Sequence, residues 1–246
     1  MLQPKSDQRF LEKFNRFFKK AVNIYQLIPR GSVVTVGLSG GKDSLALLDQ
    51  LSDFHYRKQL NITIVAAHIQ MENISYQANM DYLQNFCDER DVSFIVQKSA
   101  FDPENDRRKS PCFLCSWQRR KALFEIAKFH HSNIIALGHH QDDMIETLLM
   151  NMAFQGSIAS MPPKLTMDKF DMNIIRPMAL LTEADVKRYA AIKEFIPVTK
   201  NCPYEQSSFR LNIKNIIGQL ETLNPKVRSS IYASMQNIKK DYLPKI

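Results

Sequence analysis

The sequence lacks the features that most quickly assign a chain to a membrane, secreted or repetitive class. No apolar run approaches the roughly 20 residues that a helix needs to cross a bilayer. The first residues, MLQPKSDQRFLEKF, contain no apolar core of the kind that a secretory signal requires. Internal repeats and low-complexity segments are also missing from the sequence. We therefore expect a globular, cytoplasmic protein with no membrane partner.

Glycine and cysteine are scarce, which makes the few that occur informative. Only seven of the 246 residues are glycine, so the adjacent pair Gly40-Gly41 stands out. In a reducing compartment the four cysteines are expected as thiols, metal ligands or catalytic groups and not as disulfides. Acidic residues are outnumbered, 25 against 33 Lys and Arg, and the net charge of +8 favours a polyanionic partner such as a nucleic acid.

Apolar periodicity predicts strands that alternate with helices. Runs rich in β-branched residues predict strands over residues 32–38, 62–69, 92–97, 133–138 and 173–177. Helices are predicted over residues 9–28, 79–91, 142–154 and 182–195. A further helix begins at residue 43, another follows a loop that contains the C-x-x-C segment, and two more lie beyond residue 205. Thr182 and Asp185 have the spacing of a helix capping pair. This alternation is typical of an α/β fold with a parallel sheet, whose ligands bind at the carboxyl ends of the strands.

We expect three parts along the chain. Residues 1–29 form a basic amphipathic helix, with Phe10, Phe14 and Phe18 on its apolar side. Residues 30–200 form a nucleotide-binding domain that carries the C-x-x-C segment as an insertion, and residues 201–246 form a helical extension.

The segment VGLSGGKDS, residues 36–44, follows the first predicted strand and has the composition of a phosphate-binding loop. A Walker A loop needs Gly, four residues, and then Gly-Lys-Ser/Thr. Val36 stands at the position of the first glycine, and Asp43 stands where the hydroxyl that binds magnesium belongs. What remains is a glycine turn before a helix, where backbone N–H groups converge on an anion.

The motif SGGKDS resembles the signature of the PP-loop, or N-type ATP pyrophosphatase, superfamily. Its members cleave ATP between the α- and β-phosphates and adenylate an oxygen of the substrate. The resemblance implies a parallel sheet of the adenine-nucleotide alpha-hydrolase-like, Rossmann-like type. It also implies that Asp43 and Lys42 act in catalysis, with Lys42 offsetting phosphate charge. The residues that it implies for pyrophosphate and magnesium are Ser39, Gly40, Gly41, Asp43 and Ser44.

A second segment, Gly138-His139-His140-Gln141-Asp142-Asp143, follows the fourth predicted strand. It resembles the GHH-x-DD segment that lies near ATP and metal in PP-loop enzymes that modify tRNA. The resemblance implies that Gly138, His139 and Asp142 contact ATP, and His68 near the end of the second predicted strand is expected there too. Asp43, Asp142 and Asp143 are the expected Mg²⁺ ligands, and Glu146 lies on the same helix face as Asp142. Acidic residues also favour a helix N-terminus for purely structural reasons.

The cysteines form one C-x-x-C pair, Cys112 and Cys115, with Cys202 far along the chain. Cys87 lies on the apolar face of a predicted helix, so we expect it to pack in the core. The three remaining thiols are one short of a structural zinc site. A redox or persulfide pair is an alternative use of the C-x-x-C.

Four segments occur in the order found in the tRNA 2-thiocytidine synthetase branch of the PP-loop superfamily, which the chain resembles over roughly residues 25–240. They are SGGKDS, CFLCSWQRRKALFEIA, IIALGHHQDDMIETLLMNMAFQGSIASMPPKL and IIRPMALLTEADV, and MPPKL is the piece most specific to the branch. The resemblance implies that Cys112, Cys115 and Cys202 hold a [4Fe–4S] cluster with one open iron, and that the C-x-x-C acts in catalysis. It further implies that O2 of cytidine 32 in the tRNA anticodon loop is adenylated with ATP and replaced by sulfur.

Basic residues flank the C-x-x-C and are expected to bind the phosphates of the RNA. They are Arg107, Arg108 and Lys109 before the pair and Arg119, Arg120 and Lys121 after it. Phe113 and Trp117 could stack an unpaired base, but we expect both to pack in the core.

Three other functions share part of this pattern. A tRNA 2-thiouridine synthetase would carry every motif named, a lysidine-type tRNA ligase would use SGGKDS without the cysteines, and a non-catalytic tRNA-binding protein would need only the basic helices. The sulfur donor is left open between a cysteine desulfurase and free sulfide. A homodimer is one arrangement that the sequence allows.

Overall fold

The computed structural model describes residues 4–58, 60–74, 78–102, 110–198 and 209–242. These residues form two compact units. The first contains Met1–His140 and Pro162–Glu205, and the second contains Gln141–Met161 and Gln206–Ile246. The division into three parts predicted above stays a prediction.

The first unit is built on a six-stranded sheet with strand order β3-β2-β1-β4-β6-β5. Five strands are mutually parallel where they pair, which confirms the predicted α/β fold with a parallel sheet. They are β1 (Val33–Gly37), β2 (Thr63–Met71), β3 (Ser93–Ser99), β4 (Ile134–Ala136) and β6 (Met172–Ile175). The sixth, β5 (Lys164–Met167), pairs antiparallel with β6 at the sheet edge. Strand β5 was not predicted from the sequence, because only four residues form it and most of them are exposed.

Among the described residues of the first unit there are five α-helices, each close to its predicted position. They are α1 (Lys5–Ile24), α2 (Lys42–Lys58), α3 (Met80–Asp88), α4 (Pro111–Phe129) and α6 (Glu183–Ile192). Thr182 and Asp185 form the predicted capping box at the start of α6. The structure differs from the prediction at the start of α4. Ser110 caps this helix and Pro111 occupies its first position, so the C-x-x-C lies in the first helical turn and not in the predicted loop.

Alternate residues of the strands point to opposite faces of the sheet, and helices cover both faces. Ile64 and Ala66 of β2 join one core cluster with the apolar sides of α1 and α2. Val65 and Ala67 join a second cluster that includes Ala122 of α4. Cys87 is fully buried in the first cluster, which confirms the prediction for this residue, and burial raises its pKa to about 12.

A polar cavity of about 560 Å³ lies among α1, α2, α3 and α6, away from the residues of the phosphate loop. Asp49 connects the helices at this cavity, accepting hydrogen bonds from Arg90 and from the Tyr189 hydroxyl. Gln50 donates to the same hydroxyl at 2.7 Å. Burial, and next the Asp49 charge, raise the pKa of Tyr189, so the phenol stays neutral and donates to the carboxylate.

The second unit is a small helical assembly of α5 (Gln141–Gln155), α7 (Phe209–Leu223) and α8 (Val227–Ser234). Ile145, Ile213 and Ile217 form its apolar centre. The predicted helices beyond residue 205 are thus present. Among the described residues of both units, no helix has the length and hydropathy needed to cross a membrane.

Candidate nucleotide and cysteine site

The phosphate loop connects the carboxyl end of β1 to the first turn of α2. Gly40 adopts a φ of +80°, a left-handed conformation that favours glycine. A Cβ built on Gly40 would also lie 2.6 Å from Cγ2 of Val198. The Val198 N–H donates to the Gly40 carbonyl at 2.9 Å, so the segment after α6 holds the loop in place.

Hydroxyl groups close the loop on itself at the start of α2. The Ser44 hydroxyl donates to the Gly41 carbonyl at 2.9 Å, and the Gly41 N–H donates to Oγ of Ser39 at 3.3 Å. Lys42 Nζ lies 2.7 Å from Oδ1 of Asp43, with both side chains partly exposed. The first N–H groups of a helix have no intrahelical acceptor, and the helix dipole adds a partial positive charge there. The loop therefore presents backbone donors and one ammonium group to an anion.

The segment after β4 packs directly against this loop. A Cβ built on Gly138 would lie 2.9 Å from the backbone C and O of Asp43 and 3.1 Å from the N of Ser44, so glycine permits this approach. Nε2 of the buried His140 lies 3.8 Å from Oδ1 of Asp43. The structure thus brings together two segments that are nearly 100 residues apart in the chain, as expected for neighbouring strands β1 and β4.

His68 supports the loop from β2. Its side chain is 2% exposed, and Nδ1 donates to the Leu38 carbonyl at 2.8 Å, directly before Ser39. Burial lowers the pKa of His68 despite this hydrogen bond, and the positive charge of Arg119 lowers it further. The imidazole is therefore neutral at physiological pH and fixes the backbone where the loop begins. Its predicted contact with ATP stays a prediction.

The two described cysteines of the predicted cluster lie one helical turn apart at the start of α4. Cys112 is exposed, and the partly buried Cys115 packs against the cluster beneath α4. Residues three apart on a helix face the same side, and a helix N-terminus favours the thiolate form. Because α4 leads from β3 back to β4, its N-terminus lies at the carboxyl edge of the sheet, where the phosphate loop also lies. Cys202 lies outside the described residues.

The donor set fits part of an iron–sulfur site and part of a magnesium site. Two thiols on one turn suit a thiolate-bound cluster, whose third expected ligand is Cys202. Within the described ranges, no three His, Cys, Asp or Glu side chains are grouped as a metal site. Mg²⁺ commonly takes one or two carboxylates and completes its shell with water and substrate phosphates, so Asp43 beside a bound phosphate fits that ion.

The aromatic residues on α4 differ from expectation. Phe113 is 49% exposed and Trp117 is 56% exposed, so the prediction that both pack in the core was wrong. The buried side of α4 is formed by Ala122, Ile126 and Ala127, and Phe113 and Trp117 lie on another side.

The basic residues after the C-x-x-C lie on the same helix. Arg120 and Lys121 are exposed, and Arg119 is partly buried. Arg107 and Arg108, like Lys109, lie outside the described residues.

The acidic residues after His140 belong to the second unit, where arginines pair with them. Nη1 of Arg228 lies 2.7 Å from Oδ1 of the buried Asp142. Arg210 lies 3.1 Å from Asp143 and 3.8 Å from Glu146, its Nη1 facing both carboxylates. Asp142 and Glu146 do share a buried face of α5, but the proposed roles of Asp142 and Asp143 toward ATP and Mg²⁺ stay predictions.

Arg210 and Arg228 were not predicted as site residues from the sequence. The only available signal was that both lie in predicted basic helices. The pKa of Arg228 is raised, first by its hydrogen bonds to Glu221 and also by Asp142.

Taken together, the parallel sheet and the loop between β1 and α2 define a nucleotide-binding α/β protein with a phosphate loop outside the Walker class. The family model described as PP-loop domain, ATP_bind_3, matches residues 6–219. The tRNA-cytidine(32) 2-sulfurtransferase of Coxiella burnetii strain CbuG_Q212 is 34% identical over 243 residues, covering 97% of this chain and 94% of that protein. The chain belongs to the PP-loop family, in its tRNA-cytidine(32) 2-sulfurtransferase branch.

Two further proteins extend the comparison. The tRNA-cytidine(32) 2-sulfurtransferase of Shewanella denitrificans is 35% identical over 231 residues, covering 92% of this chain and 71% of that protein. A solved structure of the U34-tRNA thiolase NcsA from Methanococcus maripaludis, with its [4Fe-4S] cluster, superposes with a TM-score of 0.76 at 24% identity. That superposition covers 96% of this chain and 80% of NcsA, which shows the shared fold.

Proposed function

We propose that this protein is an ATP-dependent tRNA sulfurtransferase that converts a cytidine of the anticodon loop, at position 32, to 2-thiocytidine. One observation carries the proposal: the same edge of the sheet holds a phosphate loop outside the Walker class and a C-x-x-C on a helix N-terminus. The first feature suits activation of an oxygen by ATP, and the second suits delivery of sulfur. The branch membership shown above supports both.

The phosphate loop binds the part of ATP that leaves. Its backbone N–H groups and the N-terminus of α2 hold the β- and γ-phosphates, and Lys42 offsets their negative charge. O2 of the pyrimidine then attacks the α-phosphorus, and pyrophosphate departs into the loop. The product is an adenylated pyrimidine, in which C2 carries AMP as a good leaving group.

Asp43 would hold Mg²⁺, which when bound would offset the negative charge of the pyrophosphate. Its carboxylate lies 2.7 Å from Nζ of Lys42, so the ammonium group offsets its charge before the metal and nucleotide bind. Sulfur attack at C2 then forms the C–S bond while the C–O bond to AMP breaks, and AMP leaves with the original O2.

Cys112, Cys115 and Cys202 would hold a [4Fe–4S] cluster, which, when bound by three thiolates, supplies one iron open to sulfide. The helix N-terminus at Cys112 and Cys115 favours their thiolate forms. Packing of Cys115 against the core keeps that ligand fixed to the sheet edge, while the exposed Cys112 faces solvent. Free sulfide would supply the sulfur directly, whereas a cysteine desulfurase, which carries it as a persulfide, would supply it together with a thiol that reduces the persulfide by two electrons to sulfide.

The test combines three readouts on anaerobically reconstituted protein. With ATP, sulfide and unmodified tRNA, we expect AMP, pyrophosphate and 2-thiocytidine in equal amounts, the last detected by mass spectrometry of digested nucleosides. Asp43→Ala should abolish all three products.

The double variant Cys112→Ala with Cys115→Ala should abolish 2-thiocytidine and the cluster chromophore. Formation of 2-thiouridine would place the protein among uridine thiolases. Product formation that survives loss of both cysteines would favour a ligase, and tRNA binding without ATP cleavage would leave only an RNA-binding protein.

A further inference from the structure

Two large aromatic side chains stand on the outer side of α4, one turn apart, directly beside the C-x-x-C. Phe113 lies between the two cysteines in sequence, and Trp117 follows four residues later. About half of each side chain is exposed to solvent. Residues four apart on a helix are neighbours on its surface, so the two rings form one continuous patch. Trp117 is the only tryptophan of the chain.

The same side of α4 continues into positive charge. Arg120 and Lys121 follow Trp117 at three and four residues and are exposed. Nη2 of Arg120 donates to Oγ of Ser116 at 3.3 Å, which holds the guanidinium along the helix. The stretch SPCFLCSWQRRK contains no acidic residue. Beyond this stretch, Oε1 of Glu125 lies 4.0 Å from Nζ of Lys121 in an exposed ion pair, which is weak enough for an RNA phosphate to replace. An aromatic patch followed by cations matches the chemistry of single-stranded nucleic acid, because bases stack on rings while phosphates pair with the cations.

We propose that Phe113 and Trp117 form a stacking platform for an unpaired base of the RNA substrate, with Arg120 and Lys121 binding the adjoining phosphates. The inference rests on the proposed function and deepens it, because it names the surface that positions the anticodon loop at the cysteine pair. The nucleotide that stacks is unpaired, since a base inside a duplex has no free face to offer. Phe113 and Trp117 are positioning residues in this scheme and not catalytic ones.

The single tryptophan makes the platform directly measurable. Titration with an unmodified anticodon stem-loop RNA should quench the emission of Trp117, whereas a fully paired duplex of the same length should leave it nearly unchanged. Loss of one stacked base is worth about 1–3 kcal/mol, or roughly 5- to 150-fold in affinity. We therefore expect Trp117→Ala and Phe113→Ala each to weaken binding of fluorescently labelled stem-loop RNA by at least about fivefold, while Trp117→Phe retains most of the affinity.

A matched control lies on the same helix. Phe129, at the other end of α4, is 79% exposed, and Phe129→Ala should bind the stem-loop like the wild type. Because all three aromatic side chains are exposed, the melting temperatures of the variants should equal that of the wild type. In the thiolation assay, Trp117→Ala should raise KM for tRNA more than it lowers kcat, as expected for a residue that binds the substrate.

The outcomes separate this inference from the proposed function. Stem-loop affinity that is unchanged in both alanine variants would overturn the platform even if the wild type thiolates tRNA. If Trp117 emission is quenched by a cysteine desulfurase, or by raising the concentration of this protein so that its copies associate, but not by RNA, the patch binds a protein partner. That result would also overturn the stacking platform. Quenching by the stem-loop in a wild type that makes no thiolated nucleoside would uphold the platform and refute the proposed function.

Discussion

Replacing Gly138 by alanine tests how closely the segment after β4 holds the phosphate loop. The added Cβ would lie 2.9 Å from the backbone C and O of Asp43 and 3.1 Å from the N of Ser44. Carbon atoms in favourable contact are about 3.5–4.0 Å apart, so one of the two segments must move by roughly 0.6–1 Å. Gly138 is not among the residues with positive φ, so alanine can adopt its backbone conformation and only the lack of space is tested.

The clash involves backbone on the loop side, which cannot rotate away as a flexible side chain would. Overpacking of this kind costs about 1–3 kcal/mol of stability. A displacement near 1 Å at a reacting centre can lower a rate by about a hundredfold. We therefore expect Gly138→Ala to lower the free energy of unfolding by about 2 kcal/mol, to weaken ATP binding, and to reduce AMP formation by about two orders of magnitude.

Urea unfolding, titration calorimetry with ATP and an AMP-release assay measure the three effects. The control is Gly218→Ala in α7, where an added Cβ meets nothing within 4 Å. That change should leave ATP binding intact and stabilise the helix by up to about 1 kcal/mol, because alanine is the better helix former. Wild-type ATP affinity and an unchanged urea midpoint in Gly138→Ala would refute the close packing of the two segments.

Three further predictions concern buried groups. Burial lowers the pKa of His68 below its ordinary value of 6.5, so the unfolded chain takes up the proton at a higher pH than the folded protein does. The free energy of unfolding should therefore fall as the pH drops below about 6.5. In urea unfolding, His68→Asn should lose this pH dependence, and a pH dependence equal to that of the wild type would contradict the prediction. Arg228→Ala removes this partner of the buried Asp142 and should lower the stability of the second unit by about 3 kcal/mol. The loss should be measurable as faster hydrogen exchange in α8, and Arg228→Lys should show a smaller effect. Wild-type exchange in Arg228→Ala would count against a stabilising pair. In protein stripped of iron with a chelator, iodoacetamide at pH 8 should label Cys112 well before Cys87, whose pKa is about 12, as mapped by mass spectrometry. Comparable labelling of Cys87 would show that the core around it opens readily.

The elements that the sequence predicted well are those with a strong local signal. Buried parallel strands such as β1 and β2 consist of nearly continuous β-branched and apolar residues, and such runs need no knowledge of their neighbours. The Thr182–Asp185 capping box is likewise local, because both partners lie within one turn. The glycine at position 40 was recognisable because its left-handed φ favours this residue.

What the sequence could not show depends on packing between distant segments. Strand β5 is defined by its pairing with β6 and carries no apolar pattern of its own. Phe113 and Trp117 have the residue types of a core, and only the orientation of α4 on the sheet decides that they face outward. The ion pair between Arg228 and Asp142 joins residues 86 positions apart. No local pattern indicates which arginine of a basic helix meets that carboxylate.

The second unit combines two segments that are far apart in the chain, Gln141–Met161 and Gln206–Ile246, and this has a consequence during synthesis. Helix α5 leaves the ribosome before α7 and α8, with about 50 residues between α5 and α7. At translation rates of about 5–20 residues per second, that interval lasts on the order of seconds. During it Ile145 lacks the cover of Ile213 and Ile217, and Asp142 lacks Arg228. A nascent chain that stalls in this interval exposes the apolar side of α5 to solvent.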